Sequence, residues 1–369
     1  MKFTILQENL SKTLTFLQKA IPSKPQLPIL SSILLEVKDN KLTLSATDLY
    51  LGIKSQCIAQ VEAEGAIVVP GDVFKQFIGS LAPGKINFEL KDQNLLISAG
   101  KSKIKIPTQS NEDYPDFPQV KGSDLNLPLD VLDQIEKYVS FSASIDQTRP
   151  VLTTVLLKSI NDGLEVVATD GFRLSTLFFS GINSNQELNL LVPVKALSEV
   201  YRIAQSSQEK ELKVTLSTEL KQIKFVIGDT QVFVRLIEGD YPPYEKIIPT
   251  DFRVKVSIDG EQLSAEIKRA FILARDASNI IKLEIKDNSL IIRSTSPAYG
   301  NYEGVVEIEN MSNENGELAF NAKYLLEFLN TVKPEKIYFG MNESLKPTMI
   351  TVEDIKDFKY IVMPFRVNE

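Results

Sequence analysis

Histidine does not occur among the 369 residues of the chain. A catalytic triad with histidine as base is therefore excluded, and so is a metal site with histidine ligands. Cysteine occurs once, at Cys57, so no disulfide can form within the chain, which suits a reducing compartment. Cys57 stands in an alternating pattern without a histidine to activate it, which is typical of a small strand residue. Any enzyme chemistry would have to come from carboxylate, lysine, serine or tyrosine side chains.

Longer signals are missing as well. No run of about 18 apolar residues predicts a membrane-spanning helix, and the start of the chain turns polar after Leu6, unlike a secretory signal. No G-x-G-x-x-G or G-x-x-x-x-G-K-S/T motif occurs, so a dinucleotide or P-loop site has no support. The formal net charge of −7 disfavours a simple basic nucleic-acid binder, although it leaves open where the charges lie. We expect a cytoplasmic protein with no cofactor and no membrane contact.

The strongest positive signal is a threefold internal repeat. Strand-like phrases that end in threonine recur as KLTLSATD, GLEVVATD and SLIIRSTS, which aligns Thr47, Thr169 and Thr295. The aligned threonines are 122 and 126 residues apart, and one third of the chain is 123 residues. A period this long excludes a solenoid, whose repeats have about 20–50 residues. We therefore expect three similar domains in tandem.

Each copy combines two helices with strands. Apolar residues at i, i+3, i+4 and i+7 predict the second helix of each copy, and a strand followed by a helix opens each copy. The predicted helices span residues 7–21, 70–81, 129–144, 193–205, 259–276 and 321–333. Alternating runs predict antiparallel strands with one buried face, and a Tyr-Pro pair closes the first two copies. The sequence thus predicts α+β domains of two helices and roughly eight strands, at residues 1–122, 123–250 and 251–369.

Two carboxylates follow the aligned threonines and invite a catalytic interpretation. Asp48 and Asp170 occupy this place in the first two copies, whereas the third copy has Ser296. A position that accepts serine is typical of a turn residue, whose side chain bonds nearby backbone N–H groups. A hydrolase that uses both aspartates is the enzymatic alternative. A three-domain adhesion or scaffold protein is another, although its usual secretion signal is missing.

Over its full length the chain resembles the beta subunit of bacterial DNA polymerase III, the sliding-clamp family. The phrases that carry the resemblance are MKFT at the start, LPIL (27–30), ATDGFRL (168–174), DYPPYEKIIP (240–249) and YIVMPFR (360–366). The resemblance implies a crescent of three clamp domains that closes head to tail with a second copy into a six-domain ring. Helices would line the hole and strands would form the outside.

The resemblance also implies the function. Duplex DNA would pass through the hole, and the ring would hold the replicative polymerase on its template without performing chemistry. A clamp loader that uses ATP would open the ring, so the chain would need neither a nucleotide site nor a metal. Such a protein would work in the cytoplasm at the nucleoid, as a homodimer.

The expected DNA contacts are individual cations. The six predicted helices carry no net formal charge, against −7 for the whole chain, so the helices are less acidic than the remainder. A mildly positive lining is enough for a ring, because strong phosphate contacts would slow sliding. The candidates are Lys24, Lys75, Arg149, Lys195, Arg202 and Lys323. Some family members have aromatic residues beside the Arg149 position, where this chain has Pro150 and Val151.

The family also implies a shallow apolar cleft that takes a short peptide motif of the polymerase, the clamp loader and repair proteins. Some of the matching side chains could form an apolar pocket, while Arg173 and Arg366 could hold peptide carbonyls or a carboxylate. The position of Phe172 is often histidine in the family, so this cleft is expected to be more apolar. The cleft positions are Leu152, Thr169, Gly171, Phe172, Arg173, Leu174, Pro242, Lys246, Ile247, Asn321, Tyr324, Ile361, Met363, Pro364, Phe365 and Arg366.

The dimer seam is implied by the resemblance as well. Ile272 and Leu273 match a small hydrophobic cluster, and Ile104 matches the facing edge strand of the other chain. Lys101, Lys103 and Lys105 on that edge would discourage unwanted strand pairing. Across a seam they could meet carboxylates of the partner.

Overall fold

The computed structural model describes residues 1–182, 187–207, 209–342 and 345–366. Within these ranges the chain forms six α-helices, at the six places that the periodicity predicts. They are Gln7–Leu17 (α1), Gly71–Ser80 (α2), Leu129–Tyr138 (α3), Val194–Gln205 (α4), Gly260–Ala274 (α5) and Ala322–Val332 (α6). The first and third α-helices end earlier than predicted because short 3-10 turns, Gln18–Ala20 and Ser140–Ser142, follow them. None of the helices in these ranges is long and apolar enough to cross a membrane.

The described residues also form 25 strands, all of them paired antiparallel. In chain order they are Lys2–Leu6 (β1), Ser32–Lys38 (β2), Lys41–Thr47 (β3), Leu51–Ile58 (β4), Gln60–Ala63 (β5), Gly65–Pro70 (β6), Lys85–Lys91 (β7), Asn94–Ala99 (β8), Ser102–Pro107 (β9), Ser123–Pro128 (β10), Thr154–Ile160 (β11), Gly163–Thr169 (β12), Arg173–Ser180 (β13), Asn189–Pro193 (β14), Glu211–Ser217 (β15), Gln222–Ile227 (β16), Thr230–Arg235 (β17), Val254–Asp259 (β18), Ile280–Lys286 (β19), Ser289–Ser296 (β20), Gly300–Asn310 (β21), Gly316–Asn321 (β22), Lys336–Met341 (β23), Thr348–Val352 (β24) and Phe358–Val362 (β25).

The chain folds as two compact units. The first comprises Met1–Leu129 and Lys195–Leu236 and contains two sheets, with strand orders β5-β1-β7-β8-β9 and β10-β15-β16-β17-β4-β3-β2-β6. The second comprises Asp130–Val194 and Ile237–Glu369 and contains one sheet, with the order β14-β11-β12-β13-β25-β24-β23-β18-β21-β20-β19-β22. Two sheets thus cross the boundaries between sequence repeats, at the pairs β4–β17 and β13–β25.

Stacked aromatic rings fill the core of each unit. In the first unit Phe3 stacks on Phe88 at 4.5 Å between ring centroids. In the second unit Phe328 on α6 stacks on Tyr360 of β25 at 4.8 Å. These rings are almost completely buried, and each large aromatic ring removes about 150–250 Å² from water. The predicted apolar helix faces therefore do pack on sheets, as the periodicity requires.

Candidate functional site

A tight turn joins β12 to β13 at the phrase that looks most catalytic. The Oδ1 atom of Asp170 accepts hydrogen bonds from the backbone N–H groups of Phe172 (2.8 Å) and Arg173 (3.0 Å). The hydroxyl of Thr169 donates to the Arg173 carbonyl at 2.6 Å. Gly171 has a φ of +92°, which glycine adopts without steric cost. Asp170 therefore closes the turn, as the sequence predicts.

The first repeat contains the same turn, and the third contains a similar turn that is one residue longer. In the first, Asp48 accepts from the N–H groups of Tyr50 (2.9 Å) and Leu51 (2.6 Å), and Thr47 donates to the Leu51 carbonyl at 3.1 Å. In the third, the Ser296 hydroxyl accepts from the N–H groups two and three residues further on, both at 3.3 Å. The prediction that these are turn residues is confirmed. The structure does not favour a catalytic role for the two aspartates, because their carboxylate oxygens accept hydrogen bonds from the backbone of the turn.

Arg173 holds this turn against the rest of the second unit. Its side chain is only 7% exposed, and its Nε donates to Asp170 at 3.1 Å. One terminal nitrogen donates to Glu327 of α6 at 2.7 Å, and the other donates to the Phe141 carbonyl at 2.9 Å. Three of the five N–H donors are thus occupied within the chain. Its buried guanidinium therefore ties this turn, which forms one wall of the expected cleft, to α6 and to the Phe141 carbonyl.

A pair of aromatic rings, one exposed and one partly buried, covers the turn. Phe172 is 60% exposed, and its ring stacks on Tyr324 of α6 at 6.3 Å between centroids, with the planes 17° apart. The Arg173 guanidinium lies 5.0 Å from the centroid of the Tyr324 ring, within cation–π distance. The carbonyl of Phe172 accepts the backbone N–H of Met363 at 2.9 Å. The turn, the helix and the C-terminal segment therefore meet at Phe172.

Beneath this pair lies a closed apolar floor. Leu174 of β13 lies opposite Ile361 of β25 in the sheet, and both side chains are fully buried. They belong to a buried cluster that consists of Leu156, Val167, Leu174, Leu191, Tyr244 and Ile361. The expected apolar pocket thus has a floor of buried residues, whereas Pro242 and Ile247 are exposed at its rim and Met363 is partly buried.

The repeated Tyr-Pro segment is anchored to the same floor. The Tyr241 hydroxyl donates to the carbonyl of Val167 at 3.5 Å, and burial raises the pKa of this phenol. Tyr244 begins a short 3-10 turn, Tyr244–Ile247, and its hydroxyl donates to Glu165. The turn presents Lys246 and Ile247 on the surface. Sequence reasoning did not assign Tyr241 or Tyr244 to the site, although their repeated segment was a usable signal.

The C-terminal segment after β25 completes the wall. Phe365 donates its backbone N–H to the carbonyl of Ala319, within β22, at 2.6 Å. Pro364 is buried, and the two residues after it are not, since Phe365 is half exposed and Arg366 is exposed. Asn321 caps α6, because its Oδ1 accepts the N–H of Lys323 at 3.0 Å. The fold thus brings all sixteen predicted cleft residues into the second unit, with Leu152 buried in the 3-10 turn Pro150–Thr153.

The predicted DNA-contact residues are mostly surface cations. Lys24 and Arg149 are exposed in loops, Lys75 is partly buried on α2, and Lys195 (α4) and Lys323 (α6) are exposed. Arg202 on α4 is already engaged, since it donates to Glu199 at 2.7 Å and to the Thr15 carbonyl at 3.1 Å. Lys24, Lys75, Lys195 and Arg202 belong to the first unit, and Arg149 and Lys323 belong to the second.

Two strand edges remain open. Within the described ranges β9 pairs only with β8, and β21 pairs with β20 over residues 300–307 and with β18 only at its far end. Ile104 on β9 is partly buried, and Ile272 on α5 is 64% exposed beside the partly buried Leu273. The predicted seam residues therefore lie on or near surfaces that the chain itself does not cover.

Metal-binding clusters and the single cysteine are the other groups that could carry chemistry. No group of three or more cysteine, aspartate or glutamate side chains in the part of the chain that the structure describes is arranged to hold a metal ion. Burial raises the pKa of the Cys57 thiol to about 11, and its sulfur faces the Leu42 carbonyl at 3.7 Å across the β3–β4 pair. Cys57 is therefore a strand residue, as predicted, and a poor nucleophile.

Comparison with known proteins gives consistent matches along the chain. Three family models match it, described as the N-terminal (residues 1–118), central (126–243) and C-terminal (245–366) domains of the DNA polymerase III beta subunit. The chain is similar to proteins named Beta sliding clamp from Synechocystis sp. (30% identical, both chains covered in full) and Staphylococcus epidermidis (28%, 99% of each).

Solved structures agree with the sequence matches. The chain is similar to the DNA polymerase III beta subunit of Thermotoga maritima, with 29% identity and a TM-score of 0.92. It is also similar to the DNA polymerase sliding clamp of Pseudomonas aeruginosa, with 28% identity and a TM-score of 0.93. Both comparisons cover 100% of each chain.

Proposed function

Because the chain belongs to the DNA polymerase III beta subunit family and is a non-catalytic DNA sliding clamp for polymerase processivity, we propose that two copies close into a ring. Each chain would contribute clamp domains at 1–122, 123–250 and 251–369, joined head to tail, with helices inside and strands outside. Duplex DNA would run through the hole. The ring would work in the cytoplasm at the nucleoid.

The open strand edges carry this proposal. Two of the three repeat junctions are closed by antiparallel pairs within the chain, β4 with β17 and β13 with β25. The third junction would join β21 to β9, and both have a free edge in the described ranges. An unpaired edge is a template for another strand, and a heterologous contact that closes on itself gives a ring. A second copy supplies the missing strand at each end.

The cations support a weak, sliding contact with DNA. Lys24 and Arg149 are exposed on loops, so they can reach phosphates without a cost of unburying charge. Arg202 shares its charge with Glu199, which reduces its attraction for phosphate. Few strong phosphate contacts mean a shallow dependence of binding on salt and fast movement along the duplex.

The cleft supports peptide binding by polymerase, clamp loader and repair proteins. Phe172, Ile247 and Phe365 expose large apolar surfaces around the floor formed by Leu174 and Ile361. Exposed apolar groups that cluster over a rigid floor are typical of a docking site. Met363 adds an adaptable side chain, which suits several partners.

Retention on circular DNA tests the proposed ring. Light scattering should give twice the mass of the 41.3 kDa chain. After loading onto nicked circular plasmid by a clamp loader and ATP, the protein should stay bound through gel filtration in high salt. Cutting the plasmid once should release it, because only topology holds it. A monomer, or release that does not depend on linearisation, would contradict the ring.

A further inference from the structure

The repeated turn gives the first unit a second version of the cleft wall. Tyr50 stands two residues after the turn aspartate Asp48, as Phe172 stands after Asp170. The Tyr50 carbonyl accepts the backbone N–H of Arg235 at 2.9 Å, and the Phe172 carbonyl accepts that of Met363 at 2.9 Å. The strand pair β4–β17 therefore meets this turn in the same way as β13–β25 meets the turn of the cleft.

The side chains at this second turn differ in a way that points to a ligand. Tyr50 is 55% exposed, and the Arg235 guanidinium lies 6.0 Å from the centroid of its ring. In the described residues no carboxylate pairs with this guanidinium, whereas the buried Arg173 of the cleft has two carboxylate partners. Leu49, next to Tyr50, and Leu220 are both exposed. Leu220 lies two residues before Gln222, which is opposite Arg235 in the sheet. A free cation beside an exposed ring attracts a segment that carries both a carboxylate and an apolar side chain.

The space under this turn is occupied by an aromatic side chain of the same unit. Gly52 occupies the position that Leu174 has in the cleft, since each lies opposite the aligned threonine of its repeat. A side chain at Gly52 would lie 2.8 Å from the ring of Phe117, which packs edge-on against Phe233 at 5.3 Å between centroids. The surface is therefore apolar but shallow. It can hold one flat side chain and a charge, and we expect weaker binding than in the cleft.

We propose that Leu49, Tyr50, Leu220 and Arg235, the Tyr50 surface, form a second docking site on each chain. The occupant is an extended acidic segment of a partner protein that also carries a leucine or aromatic side chain. This inference rests on the proposed function, because it assigns the same type of partner to both turns. Proteins with two such segments would then gain avidity on one clamp.

The test uses a fluorescent pentapeptide that contains aspartate, leucine and phenylalanine, titrated by anisotropy at low salt. The cleft is removed separately, in a chain that ends at Val362. This shortened chain should keep a weak site, and Tyr50→Ala should reduce its affinity by about tenfold, the size of one lost aromatic contact. Arg235→Gln should give a similar loss and remove the salt dependence. Tyr50→Phe, which keeps the ring, is the matched control and should bind normally.

The two proposals fail in different ways. If the shortened chain binds no peptide while the full chain binds one per chain, the Tyr50 surface is not a docking site. The same holds if Tyr50→Ala and Arg235→Gln leave the weak site unchanged. If instead shortening leaves all binding intact and Tyr50→Ala removes it, the cleft is not the principal peptide site.

Discussion

Arg173 is the single residue on which the geometry of the cleft wall depends most. Its guanidinium ties the turn at Asp170 to α6 through Glu327 and to the Phe141 carbonyl. A lysine carries the same charge on a single nitrogen at the end of a flexible stem, so it lacks the rigid planar fork that reaches three acceptors at separate places. The partly buried acceptors, Asp170 and the Phe141 carbonyl, would then lose their partners, which costs about 1–3 kcal/mol for each group left unsatisfied.

Arg173→Lys should therefore lower the free energy of unfolding by roughly 2–4 kcal/mol and weaken peptide binding. Chemical denaturation and peptide anisotropy measure the two effects. Glu327→Gln is the graded control, because Glu327 is about half exposed and an exposed ion pair contributes only about 0–1 kcal/mol. If Arg173→Lys is as mild as Glu327→Gln, then Arg173 does not position the wall.

What the sequence reveals about single residues depends on how local their partners are. Asp48 and Asp170 bond N–H groups two and three residues away, so the repeat itself identifies them as turn residues. Two of the three partners of Arg173 are 32 and 154 residues away in sequence. No local sequence pattern predicts contacts over such distances. The role of Arg173 in linking the turn to α6 was therefore not predictable from the sequence.

The C-terminal segment is the element that distinguishes the cleft from a plain sheet edge. Only two backbone bonds hold it after β25, from Met363 to the Phe172 carbonyl and from Phe365 to the Ala319 carbonyl, among the described residues. Both bonds lie within the second unit, and neither involves β9 or β21. Removing it should therefore affect the cleft without affecting dimer formation.

A chain that ends at Val362 should lose the tight peptide site and keep the mass of the full-length protein in light scattering. A chain that ends at Arg366 is the matched control and should bind peptide normally, because Met363 to Arg366 remain. Residues 367–369 lie outside the described residues. Loss of the dimer in the Val362 chain would mean that the segment belongs to the seam and that its assignment to the cleft is wrong.

Helices and strands were predictable to different extents. The apolar stripes locate all six helices, because the period of 3.6 residues is a local property. The ends of α1 and α3 were extended too far, because the apolar pattern continues through the following 3-10 turns. The pairs β4–β17 and β13–β25 join residues more than 170 positions apart, and alternation alone does not name a strand's neighbour.

For the whole molecule, the internal repeat predicts which residues of β9 and β21 should face each other in the proposed seam between two copies. Leu174 and Gly52 lie opposite the aligned threonines, and Asn301 lies opposite Thr295 in the third copy. Gly100 before β9 and Gly228 before β17 both have positive φ and mark equivalent turns. Phe233 lies five residues after Gly228 and pairs with Gly52. Lys105 lies five residues after Gly100 and is therefore the equivalent of Phe233. By the same register, Lys105 should pair with Asn301 of the other copy.

That register puts Lys103 opposite Glu303 of the second copy. Opposite charges at facing positions of an antiparallel pair contribute about 0.2–1 kcal/mol each, and like charges oppose pairing by a similar amount. The proposed ring would contain two such seams, so each charge change would count twice in the dimer. Glu303 also bonds Arg293 of its own chain at 2.7 Å, which holds its carboxylate in place at the strand edge.

Lys103→Glu or Glu303→Lys should each weaken the dimer by about tenfold, and the double change should restore part of that loss. Sedimentation equilibrium at low and high salt measures the dissociation constants, and salt should reduce the difference. Lys85→Glu, an exposed lysine of β7 in the same sheet, is the matched control for net charge. Restoration beyond the sum of the two single effects is the expected sign that the two residues face each other across the seam. If both single variants dimerise like the parent, β9 and β21 do not form the seam in this register.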